Sequence, residues 1–273
     1  MLTFIDTQPT LFEPVCQSPT MAQLQSAQAR YWLGQLSYPT NYSDRKSWEY
    51  VWLMQVLASY GMMAPGRRGL GFAVGREPIT AYLASRGVDV LATDAPQSVV
   101  GEQWVESGQY ARCVADLNYA DLCDTVTMEQ RVRFRAVDMN VIDADLRSFD
   151  FCWSLCAIEH LGSFELLEAF IFESLKTLKP GGWSVHSGEL FCGPPEQTPP
   201  MSGHTIHPSA AQYIGLAERL QAAGHRVMPL NFQLGDDIVD QLIDIPPYSD
   251  RHIKLNYAGT DTTSWGLIAQ RLS

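Results

Sequence analysis

The sequence predicts an α/β fold: a Rossmann-like, doubly wound, mostly parallel sheet with helices on both faces, preceded by a helical N-terminal extension. Three observations lead there. From Arg68 onward, short apolar runs alternate with amphipathic stretches. Three of those runs stop at Gly71, Asp94 and Asp138, and an amphipathic helix over 163–178 is followed at once by Lys179-Pro180-Gly181-Gly182 and a further apolar run. Strands alternating with helices are the pattern of parallel strands joined by crossovers. Residues 1–66 then form the helical extension or cap, and residues 67–273 the main domain, with no linker or repeat between them.

Residues 21–36 contain few breakers and predict a first helix. Ser43 is placed to cap a second, in which Trp48, Val51, Trp52 and Leu57 recur at helical spacing. That aromatic stripe reads as core, with a lid over a site as the alternative. Gly69-Leu70-Gly71-Phe72 is the first strand, and 77–85 a helix presenting Ile79, Tyr82 and Leu83, ended by Gly87. The second strand, 88–93, stops at Asp94; residues 95–130 show no clear pattern. A third strand over 132–137 ends at Asp138, and a fourth over 149–155 ends near Glu159-His160. The helix over 163–178 puts Leu167, Phe170, Ile171 and Leu175 on one side, and a strand over 183–186 follows. Residues 191–208, rich in Pro and Gly, exceed the usual length of a connection and predict a lid. A helix over 210–223 and strands over 227–232 and 265–270 complete the pattern, while 235–250 is acidic and broken by proline.

Charge restricts the partners. There are 19 Lys plus Arg against 30 Asp plus Glu, a net charge of −11, and no basic patch, which argues against nucleic acid and anionic lipid. A small-molecule substrate is the expectation. The six cysteines include no Cys-x-x-Cys pair and read as reduced thiols. The first twenty residues lack a basic segment and are interrupted by Pro9 and Pro14, so they are not read as a signal peptide. The longest apolar stretches carry charges and are too short to insert into a membrane. A cytoplasmic protein is expected.

In an open α/β sheet, ligands bind beyond the carboxyl ends of the strands, which directs attention to Gly71, Asp94, Asp138 and His160. Gly71-Phe72-Ala73-Val74-Gly75 lies where the first strand turns into its helix, and glycines there let a ligand approach the backbone. An ordinary turn uses the same residues. A carboxylate ending the second strand can accept hydrogen bonds from both hydroxyls of an adenosine ribose, or simply cap the next helix.

Taken together, Gly71 to Gly75 with Asp94, Val137-Asp138-Met139-Asn140, the run from Phe149 to Glu159-His160-Leu161-Gly162, and Leu178-Lys179-Pro180-Gly181-Gly182 resemble the ordered motifs of class I S-adenosylmethionine-dependent methyltransferases. The Gly-Arg-Glu-Pro loop and the Glu-His-Leu-Gly segment also resemble those of a bacterial subset suspected of modifying cell-surface glycans. The resemblance implies that Gly71, Ala73 and Gly75 flank the methionine part of S-adenosylmethionine, that Asp94 holds its ribose, that Asp138 and Met139 meet the adenine, and that Cys156 lies along the cofactor. Two positions depart from the family pattern. Ala73 replaces the middle glycine, and Gly69 replaces the acidic residue before the loop, so that Glu77 is the substitute partner for the methionine ammonium.

The implied reaction is methyl transfer to a small polar acceptor such as a sugar hydroxyl. Transfer from a sulfonium needs alignment and, for a hydroxyl, removal of a proton. His160 is placed as that base or as a residue satisfying a loop carbonyl; His186 is the second catalytic candidate, and Glu159, Glu189 and His204 are candidates for the acceptor site. His160, His186 and Glu189 form a conceivable two-histidine, one-carboxylate metal set, but without metal-motif spacing no metal is assigned. Cys152 and Cys156 read as small buried side chains, and His252 with Lys254 as either anion contacts or an exposed strand edge. The rival readings are a catalytically silent domain that binds the cofactor or a protein, and a nicotinamide-dependent oxidoreductase. The latter is disfavoured because the loop lacks the third glycine of Gly-x-Gly-x-x-Gly.

Overall fold

The computed structural model describes residues 1–39, 44–101, 104, 106, 108–197, 205–249 and 252–273. The first predicted helix is two: α1 (Met21–Leu24) and α2 (Ala27–Gln35), separated because Ser26 takes the N-cap role and accepts from Ala29 N. Helix α3 (Arg45–Ser59) is capped by Asp44, which accepts from Ser47 N at 2.6 Å. Ser43, the expected cap, lies outside the described residues. The aromatic stripe is core, as read: Trp48, Val51, Trp52 and Leu57 are all fully buried.

The elements that were predicted keep their order, and four that were not lie among them, at 125–131, 238–241, 243–244 and 254–257. The remaining elements are β1 (Arg68–Gly71), α4 (Ile79–Ser85), β2 (Asp89–Asp94), α5 (Thr125–Arg131), β3 (Val132–Ala136), β4 (Phe149–Ser154), α6 (Phe164–Lys176), β5 (Leu178–Phe191), α7 (Ala210–Ala222), β6 (Arg226–Val227), α8 (Ile238–Gln241), β7 (Ile243–Asp244), β8 (Lys254–Tyr257) and β9 (Thr260–Gln270). Short 3-10 turns occupy Val114–Leu117 and Ile158–His160. The sheet runs β3-β2-β1-β4-β5-β9-β8-β7, with β6 also on β9. Pairs from β3 to β5 are parallel and β5 pairs antiparallel with β9, which makes the sheet mostly parallel and mixed at one side.

Besides β9, which begins at Thr260 where 265 was expected, three strand features differ from the sequence reading. β5 is much longer than 183–186 because β9 pairs with it from Trp183 to Phe191, stabilising residues whose own pattern is loop-like. The strand expected over 227–232 is confined to Arg226–Val227, beyond which Leu230 makes only isolated bridges with Phe4 and Cys16. Lys254 is not on an exposed edge; it opens β8 between β7 and β9 and is buried. The extension shares its core with the sheet, since Trp52 Nε1 donates to Val15 O at 3.1 Å while its indole covers Gly266 of β9. No helix among the described residues is long and apolar enough to cross a membrane.

Candidate functional site

The strand order reverses between β1 and β4, where neighbouring loops must diverge and leave a crevice. The loop after β1 is pinned on both sides: Phe72 N donates to Trp153 O at 2.8 Å, Val74 N to Thr93 O at 3.0 Å, and Thr93 Oγ1 to Gly71 O at 2.8 Å. The close approach that requires Gly71 is internal. A Cβ there would meet the Val74 side chain and lie 2.6 Å from Trp153 Cζ2, so the position is small in order to pack. Ala73 and Gly75 carry the turn with φ of 45° and 51°. Ala73 therefore adopts the left-handed conformation that favours glycine, at a cost a glycine would avoid.

Asp94 ends β2 and is buried. Its Oδ1 accepts from Ala95 N at 2.9 Å, and its Oδ2 from Gly75 N and Ala111 N, each at 3.2 Å. Desolvation raises its pKa against the pull of those three backbone N–H groups. The stretch over 95–130, unreadable in sequence, closes this end: Arg76 N donates to Gln109 O at 2.9 Å, Tyr110 Oη to Ala95 O at 2.7 Å and Tyr119 Oη to Arg76 O at 2.5 Å. Beyond β3, half-buried Asp138 accepts from Asn140 N at 2.8 Å, Met139 is buried, and Asn140 Nδ2 donates to Leu161 O at 3.3 Å, tying the loops after β3 and β4 together.

The other wall was missed by the sequence reading. The first turn of α3 aims Arg45, Lys46 and Glu49 at the crevice, beside the aromatic stripe. Arg45 Nη1 lies 2.5 Å from Glu189 Oε1, and Lys46 Nζ lies 2.5 Å from Glu77 Oε1 and 3.5 Å from Glu49 Oε2. Ser264 Oγ donates to Glu49 Oε1 at 2.5 Å, and Thr262 Oγ1 to Glu189 Oε2 at 2.6 Å. The available signal was the charge triad Arg45-Lys46-x-x-Glu49 at the start of an otherwise buried helix.

After β4 the chain turns sharply. Cys156 has a φ of 52°, and its N donates to Ser187 Oγ at 3.1 Å. The 3-10 turn then buries Glu159 and leaves His160 part-exposed. Burial and the neighbouring Glu189 hold the Glu159 carboxyl above the usual range. His160 Nδ1 lies 3.3 Å from Thr205 Oγ1, its Nε2 lies 3.9 Å from Glu159 Oε1, and its ring meets Trp104 edge-on at 4.9 Å.

His186 requires a correction. It is fully buried on the opposite side of β5, with Nδ1 2.7 Å from Ser154 Oγ, Nε2 3.3 Å from Ser174 Oγ, and its ring 5.1 Å from Phe170. Burial alone pushes its pKa down to about 3. Strand alternation turns it away from Glu189, so the set His160, His186 and Glu189 does not converge. His204 lies outside the described residues, as do 198–203 of the expected lid. The far end of that loop is packed down: Ile206 N donates to Glu159 O at 2.9 Å, and Thr205, Ile206 and His207 are buried. His252 Nδ1 lies 2.7 Å from Ser249 O and 3.1 Å from Asp244 Oδ2, which accounts for it locally.

No family model matches the chain, and no curated protein sequence matches it significantly. Solved structures do. The chain is similar to the 4+2 cyclase SpnF, with 16% identity and a TM-score of 0.52 over 94% of this chain and 98% of that one. It is also similar to a putative sarcosine dimethylglycine methyltransferase from Galdieria sulphuraria, with 14% identity and a TM-score of 0.50 over 81% and 84%. The fold shared with these structures is the Rossmann-like α/β fold. One neighbour being a cyclase shows that the fold alone does not fix the reaction.

Proposed function

We propose that the chain is an S-adenosylmethionine-dependent methyltransferase whose acceptor is a small polar molecule, of the class of sugar or glycan-precursor hydroxyls. The observation that carries this is the set of oppositely charged side chains at the strand ends, where buried Asp94, part-buried Glu77 with Lys46, and buried Glu189 with Arg45 converge. That donor set fits the cofactor. Asp94 retains lone-pair capacity for ribose hydroxyls beyond its three backbone contacts. Asp138 and Met139 would border the adenine, and Gly75, Ala73 and Cys156 the sulfur end. Glu77 and Lys46, already opposed, would take the ammonium and the carboxylate of the amino-acid part. When bound, the cofactor supplies an activated methyl group.

In this reading residues 1–66 are the cap and the described parts of 191–208 its counterpart, together excluding water from the transfer. His160 holds the acceptor proton. Thr205 fixes one ring nitrogen, and the other faces the Glu159 side, where a positive imidazole would find a carboxyl. Glu159 and Glu189 face the acceptor, and His186 takes no part. The acidic surface supports a small molecule over nucleic acid, and six cysteines without a disulfide support a cytoplasmic setting. The decisive test is calorimetry of the purified chain with S-adenosylhomocysteine, S-adenosylmethionine and NAD. Binding of the first two and not the third is expected; binding of NAD alone overturns the reading.

A further inference from the structure

Three residues placed above beside the cofactor's sulfur end and the acceptor also form a tight cluster of their own. Cys156, in its left-handed conformation, precedes the 3-10 turn Ile158–His160 that carries Glu159. Glu189 enters from β5. The Cys156 thiol and one oxygen of each carboxylate all lie within 4.8 Å of one another. Glu159 is 1% exposed, and neither of its oxygens has a hydrogen-bond partner among the described residues. Nearby His160 Nε2, at 3.9 Å from Oε1, is beyond hydrogen-bond range. A buried carboxyl left this way is costly as a carboxylate unless a proton or a cation completes it.

We propose that Cys156, Glu159 and Glu189 bind a divalent transition-metal ion of the zinc type. One thiolate and two carboxylates are a donor set that zinc and cobalt accept and that magnesium or calcium, which take oxygen alone, do not favour. Three protein ligands leave the fourth tetrahedral position open. The second contacts that orient first ligands are in place: Thr262 Oγ1 and Arg45 hold Glu189, and Ser187 Oγ holds the backbone N of Cys156 in its left-handed conformation. This set differs from the one weighed from sequence, with Cys156 and Glu159 in the places of His160 and His186. Use of the ion to polarise an acceptor hydroxyl rests on the methyl-transfer reading; its binding does not.

The test is titration of the metal-stripped full chain with Co²⁺, followed by near-ultraviolet thiolate-to-cobalt absorption, alongside Zn²⁺ in a thermal melt. We expect one equivalent to bind, with a charge-transfer band that Cys156→Ser removes and a zinc-induced rise in Tm that Glu159→Gln abolishes. Cys113→Ser, which alters an exposed thiol elsewhere, should leave both unchanged. Glu159→Gln carries the test should Cys156→Ser fail to fold, with affinity at least tenfold weaker. Absence of the band, or a band surviving Cys156→Ser or lost in Cys113→Ser, overturns the site. If the band follows the variants as expected but S-adenosylhomocysteine does not bind, the metal site stands and the methyl-transfer reading falls.

Discussion

Lys46 Nζ stands 2.5 Å from Glu77 Oε1, and this contact fastens the N-terminal extension to the loop that follows β1. Lys46 belongs to the first turn of α3, while Glu77 precedes Pro78 and α4. Burial raises the Glu77 pKa while the Lys46 charge opposes it, so each group depends on the other for its tolerance inside the protein. A contact of this kind couples the stability of the cap to the geometry of the crevice.

Lys46→Met should therefore destabilise the chain by about 1–3 kcal/mol, the cost of leaving a buried carboxylate without its partner, and weaken S-adenosylhomocysteine binding. Adding Glu77→Gln should recover part of the stability, because no charge is then stranded. Urea denaturation of the two single variants and the double variant measures this; strictly additive losses would show that the pair is not coupled.

Asp94→Asn should be far from conservative. Both carboxylate oxygens accept from backbone N–H groups, so in either orientation the new amide turns an NH₂ towards a donor. A loss of about 1–3 kcal/mol in stability and a fall of about tenfold or more in S-adenosylhomocysteine affinity are expected, read by denaturation and calorimetry. Affinity equal to that of the unmodified chain would remove Asp94 from the cofactor site.

The glycine loop divides into two kinds of position. Gly71→Ala should cost about 1–3 kcal/mol by overpacking, since its Cβ would press on Val74 and Trp153. Ala73→Gly should be neutral or stabilising, because relief of the φ of 45° offsets the added freedom of the unfolded chain. Thermal melts of the two variants moving in the same downward direction would contradict this division.

His186 should make stability pH-dependent. Its pKa is about 3 in the folded chain and about 6.5 when unfolded, so acid favours the unfolded state. Its stabilisation is complete above pH of about 6.5 and is lost progressively as the pH falls towards about 3, a span worth about 4–5 kcal/mol. His186→Asn should lower stability at neutral pH yet flatten the profile between those limits. Urea melts at several pH values compare the two slopes; identical slopes would mean that His186 takes up its proton as readily in the folded protein as in the unfolded one.

The α/β class, the order of the main strands and helices and the identity of α3 as core were legible in the sequence. They depend on local periodicity and on breakers such as Gly87 and Pro180-Gly181-Gly182, which act within one or two turns of chain. Asp94 and Glu159-His160 were legible as strand-end residues for the same reason. Only the tertiary structure decided which way those ends face and what meets them. β9 lengthens β5 and thereby sets the alternation that turns Glu189 towards Arg45 and His186 into the core. Long-range packing brings Lys46 to Glu77, and Cys156 and Glu159 to Glu189, because side chains far apart in sequence are neutralised or left unpaired only once the low-dielectric interior has formed around them.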